Sequence, residues 1–109
     1  RFLIQAGSRI KFVPVEEIAY FYFVEKAVFI CTRDNHQYPV EHSLDKLEEM
    51  VDPEKFYRIN RKMIVSLDAI RKIYSLSKSR IKLELTPAFH EEVLLSFNKT
   101  PDFRSWLNK

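Results

Sequence analysis

Between residues 18 and 32 the chain reads IAYFYFVEKAVFICT. Every residue from Ile18 to Val24 is apolar or aromatic. Aromatic and β-branched types favour a strand, and successive side chains on a strand point to opposite faces. A run with no polar alternation therefore has to be buried on both faces, in a layered fold. Glu25-Lys26 is the one break, so the stretch reads as strand, short loop, strand. A chain of 109 residues has material for one such layered domain, residues 1–109, and not for a second.

The flanking sequence supplies further strands. Phe2-Leu3-Ile4 and Ile10 to Val13 are β-like runs around Ala6-Gly7-Ser8, where the only glycine suits a tight turn. Asp34-Asn35 signals a turn, and Gln37 to Val40 continues as a strand that Pro39 places at an edge. The period then changes. In HSLDKLEEMVDPEKF, Ser43 can cap a helix with Leu44, Leu47, Met50 and Val51 at helical spacing, and Asp52-Pro53 ends it. Residues 63–67 and 69–74 read as strands joined at Leu67-Asp68, and 75–79 as a polar hairpin loop. Ile81, Leu83 and Leu85 alternate with Lys82 and Glu84 as in a half-buried strand, and Val93 to Leu95 forms another. Thr100 is placed to cap a last helix with Pro101 at its first position and Phe103, Trp106 and Leu107 on one apolar face. With no strand–helix–strand alternation, the expected fold is mainly β, with several small antiparallel sheets, one internal helix and one C-terminal helix.

Composition narrows the function. A single glycine argues against glycine-rich phosphate loops. The single cysteine, Cys31, excludes an internal disulfide and fits a reducing, cytoplasmic setting. No apolar run has the length of a membrane span, and no signal peptide is expected. The opening Arg-Phe-Leu-Ile, without methionine and already strand-like, suggests a domain excised from a longer protein. His36, His42 and His90 lack metal-ligand spacing from one another and from Cys31. Acids occur as adjacent pairs, which diverge on any regular element. No catalytic residue, metal or cofactor is expected.

The cations are more informative than the net charge of +3. In FYRINRKMIVSLDAI, residues 56–70, Arg58, Asn60, Arg61 and Lys62 abut an apolar strand with no acid between them. Arg and Asn are suited to base edges, Lys and Ser to phosphates. Lys26 interrupts the aromatic hairpin, and Asn98 and Lys99 lie between the last strand and the last helix, where Thr100 and the helix amides could also receive a phosphate. Arg71, Lys72, Lys78, Arg80 and Lys82 interleave with acids and read as solvating charges on outer sheet faces.

The stretch 56–70 resembles the central signature of the LytTR family of bacterial DNA-binding domains. VPVEEIAYFYF, YPVEHSLDKLEEMVDPEKF and VLLSFNKTPDFRSWL resemble, in order, other segments of the same family. The resemblance implies an elongated, mostly antiparallel fold that meets duplex DNA with loops in successive major grooves. It implies the output domain of a response regulator in a two-component system, following a receiver domain and acting on direct-repeat promoter sites that recruit a second copy. Carried over by position, Lys26 falls in a first contact loop, Asn60 and Arg61 match a pair that contacts bases or nearby phosphates, and Arg58 and Lys62 match backbone contacts. Ser96, Asn98 and Lys99 match the last contact loop. Two departures stand out: Phe97 replaces an arginine common in the family, and Glu25 would repel phosphate. The alternative from another class is a β-rich protein-interaction or dimerisation module whose exposed aromatics meet a partner. Phe97 packs either in the core or against such a partner.

Overall fold

The aromatic run does become a doubly buried strand. In a computed structural model, which describes residues 1–108, β1 (Phe2–Ala6) and β2 (Arg9–Val13) form a separate hairpin. β3 (Ile18–Val24), β4 (Ala27–Thr32) and β5 (Gln37–Val40) follow, then helix α1 (Leu44–Met50), β6 (Phe56–Asn60) and β7 (Met63–Ser66). β8 (Ile70–Ser77), β9 (Arg80–Leu85), the short β10 (Val93–Leu94) and helix α2 (Thr100–Leu107) complete the order. The main sheet runs β5-β4-β3-β7-β6 and the smaller one β10-β9-β8, with every pairing antiparallel. The molecule is elongated, 48 × 26 × 24 Å.

β3 lies at the centre of the main sheet and contributes to two cores. Tyr20 and Tyr22 join Met63, Val65, Leu83 and Phe103 beneath β9 and α2. Phe21 faces the other way, where Ile30, Ile64, Phe2, Ile4, Leu44 and Leu47 bring in the β1–β2 hairpin and α1. Phe21 is fully buried, with its ring 5.6 Å from Phe2 and 5.9 Å from Phe56. Burial of each such side chain contributes roughly 1.5–3 kcal/mol. Only at the far end of the strand does the pattern relax, with Phe23 41% exposed.

Several local expectations are met and several corrected. Ser43 caps α1, its hydroxyl accepting from the Lys46 amide at 3.1 Å. Met50 is 46% exposed, so of the four apolar positions Leu44 and Leu47 on α1 and Val51 at its C-cap are buried and Met50 is not. The loop expected at 75–79 shrinks to Lys78-Ser79, because Ser75 and Ser77 pair with Ile81 and Arg80. Their side chains are exposed, so no hydrophobic signal marked the strand. Thr100 lies inside α2 rather than capping it; its hydroxyl donates to the Ser79 carbonyl at 3.2 Å, and the cap position is Lys99, without a side-chain bond. The largest correction concerns residues 56–60. They form β6, so the basic connection reduces to the two-residue turn Arg61-Lys62.

The β3–β4 turn carries strain. Val24 pairs with Ala27, and the two residues between them are left-handed, Glu25 at φ 49° and Lys26 at φ 69°. Such turns favour Asn-Gly, since a Cβ is disfavoured there. Glu25→Asn with Lys26→Gly is expected to stabilise the domain by about 1–2 kcal/mol. A urea melt with an unchanged slope and a higher midpoint would show it; an unchanged midpoint would mean that the turn carries no such strain.

Candidate nucleic-acid interface

Three chain segments meet at one end of the main sheet. The Phe23 amide donates to the Lys62 carbonyl at 2.9 Å, joining the end of β3 to the β6–β7 turn. The Ser96 amide donates to the Ile59 carbonyl at 2.8 Å, and the Asn60 side-chain amide donates to the Leu94 carbonyl at 2.8 Å. Glu25 of the β3–β4 turn, Asn60, Arg61, Lys62 and Ser96 thus line one cleft of about 380 Å³.

Within this frame the predicted residues divide. Arg61 and Lys62 are exposed, and among the described residues neither side chain has a hydrogen-bond or ionic partner. Lys26, at the tip of the neighbouring turn, and Asn98, in the 3-10 turn Phe97–Lys99, are likewise exposed. Lys99 is half-buried, with its Nζ 5.5 Å from the centre of the Tyr57 ring. It lines a second cleft of about 450 Å³ with Tyr57, Arg58 and Asp102. The Tyr57 hydroxyl donates to Asp102 at 2.6 Å, and burial, reinforced by that bond, raises its pKa. Tyr57 therefore stays protonated and ties β6 to α2.

Asn60 and Arg58 are engaged internally. Asn60 uses its amide nitrogen on Leu94, while its side-chain oxygen accepts from the Lys62 amide at 2.8 Å. A register shift between Arg58 and Asn60 interrupts the alternation of β6, and such a bulge re-aims the next side chain. Here it places Asn60 toward β10. Arg58, on the strand rather than a loop, has a side chain only 14% exposed, with acceptors on α1 and on the turn itself. Neither engagement was legible beforehand, because each depends on a carbonyl or carboxylate distant in the chain.

Phe97 lies in neither core; it is 72% exposed beside Asn98. Acids are also present in the first cleft. Glu92 pairs with Lys82 at 3.8 Å, and Glu91 lies 3.5 Å from His90. Arg71 pairs with Glu84 at 3.5 Å, in keeping with a solvated outer face. Among the described residues no cluster of His, Cys, Asp or Glu could hold a metal ion, and no helix is long and apolar enough to cross a membrane.

A mainly β scaffold with exposed cations at Lys26, Arg61 and Lys62 on two-residue turns near one end of the main sheet describes the class of fold and surface to which the chain belongs. The family comparison is specific within that class. The model of the LytTr DNA-binding domain matches residues 8–108, and the chain belongs to that family. A solved structure described as the LytTr DNA-binding domain of a methyl-accepting/DNA response regulator from Bacillus cereus is similar in fold. Its TM-score is 0.84 at 21% sequence identity, covering 99% of this chain and 96% of that one. A comparison with curated proteins found no significant match.

Proposed function

We propose that this domain binds duplex DNA sequence-specifically, by turns set into the major groove, as the output domain of a bacterial response regulator in a two-component system. The observation that carries this reading is the β6–β7 turn. It presents Arg61 and Lys62 unpaired to solvent while its backbone is tied to β3 and its neighbour Asn60 to β10. Arg61 is the side chain for a bidentate contact to guanine, and Lys62 and Lys26 suit phosphates. Asn98 and Lys99 extend the surface toward α2. The exposed Phe97 beside them offers apolar contact to a thymine methyl in place of an arginine contact. The receiver domain, the direct-repeat target and the second copy on adjacent half-sites belong to the same proposal.

Fluorescence anisotropy of a labelled duplex at several salt concentrations tests the proposal. With about four to six phosphates neutralised, the log–log salt slope is expected to be roughly −4 to −5. Absence of binding at low salt would refute it, because nonspecific phosphate contacts alone should register there.

A protein-interaction reading also has a specific observation in its favour. Leu3, Ile10 and Phe12 are exposed on the β1–β2 hairpin, where Leu3 pairs with Phe12 and Gln5 with Ile10. A stable dimer at high salt without DNA would favour it.

A further inference from the structure

Arg58 links the β6–β7 turn to helix α1. Its guanidinium reaches four acceptors: Asp45 Oδ1 at 2.8 Å, Glu48 Oε1 at 3.1 Å, the Asn60 carbonyl at 3.0 Å and the Arg61 carbonyl at 2.8 Å. Asp45 and Glu48 are three residues apart on α1 and so share a face of that helix. The two carbonyls belong to the last residue of β6 and the first residue of the turn. Alternation on β6 explains the direction: Tyr57 and Ile59 pack toward the α2 side, and Phe56 packs toward α1, as Arg58 does.

We propose that Arg58 is a positioning residue, clamping the β6–β7 turn to helix α1 so that the acidic pair Asp45 and Glu48 sets the orientation in which Arg61 and Lys62 meet DNA. The chemistry needs an arginine. Its planar fork directs N–H groups outward along several fixed lines, whereas a lysine ammonium is a point charge that cannot hold four acceptors spread around a plane. The carboxylates fix the guanidinium from one side, and the turn carbonyls are held from the other. With four of its five N–H donors engaged and its side chain 14% exposed, Arg58 has little left for a phosphate. Acidic residues beside a DNA-binding surface then have a constructive role, contrary to their simple electrostatic effect.

That contrast supplies a test by sign, and it rests on the DNA reading above. Asp45→Asn with Glu48→Gln removes two negative charges, so electrostatics alone would tighten binding to any duplex. The clamp predicts the opposite on a cognate site. A duplex selected from a random pool by the wild-type domain, and an unrelated duplex, would be titrated at one salt concentration with this variant and with Arg58→Lys. Both variants are expected to lose on the order of tenfold on the selected duplex while binding the unrelated duplex equally or more tightly. Amide exchange at Lys62, read without DNA, is expected to quicken on the order of tenfold in both. Tighter binding of both duplexes by the double variant, with Arg58→Lys unchanged, would overturn the clamp and make Arg58 a phosphate ligand. Should the wild type bind no duplex at all, the DNA reading fails by itself. The exchange arm then decides the clamp, and unchanged exchange in both variants would sink it.

Discussion

Alanine at both Arg61 and Lys62 is expected to weaken binding to the selected duplex by about 30- to 1000-fold. The arginine accounts for most of this, since a bidentate base contact contributes about 1–3 kcal/mol of discrimination. The lysine removes one phosphate contact, so the salt slope should become shallower by about one. The fold should be indifferent. Both side chains are exposed and neither has a partner among the described residues, while the turn carbonyls are held by backbone and by Arg58. Melting should stay within about 2 °C of the wild type, as for surface changes away from packed features. A collapse of the thermal transition would instead make Arg61 or Lys62 a structural residue.

Phe103→Ala should have the largest effect on stability, about 3–5 kcal/mol. Phe103 is fully buried, with its ring 5.3 Å from Tyr57 and 5.9 Å from Trp106. α2 has eight residues and cannot persist without its tertiary contacts. Trp106 adds an indole N–H donated to the Pro53 carbonyl at 2.7 Å. Because the 3-10 turn bearing Phe97, Asn98 and Lys99 runs directly into α2, loosening the helix should also weaken DNA binding from that side. Urea denaturation followed by tryptophan fluorescence measures the cost. A loss below about 1 kcal/mol would mean that the helix is held chiefly by Trp106 and the Tyr57–Asp102 bond.

Much of the architecture was legible because it depends on neighbours in the chain. The apolar run at Ile18–Val24 demanded two cores, and two formed. Ser43 announced α1 through its position before Leu44 and Leu47. Where side chains carry no burial signal, the reading failed: Ser75 and Ser77 are strand residues by backbone pairing alone. For Phe97 the sequence left two places open, the core or a partner; its exposure on a turn excludes the core, because the 3-10 turn brings it against neither cluster of buried side chains.

The cluster Arg58-Asn60-Arg61-Lys62 marks the boundary between the two sources of information. Composition and order determined that a basic segment would abut a buried strand, because charge and hydropathy are properties of the residues themselves. Which of those residues remain free was decided only by the tertiary structure. Arg58 finds a carboxylate thirteen residues away, and Asn60 a carbonyl thirty-four residues away. A bulge in β6 reverses the direction that simple alternation would have assigned to Asn60. A hydrogen-bonding side chain is committed by whichever acceptor the fold brings within about 3 Å of it. No spacing rule along the chain can supply that distance.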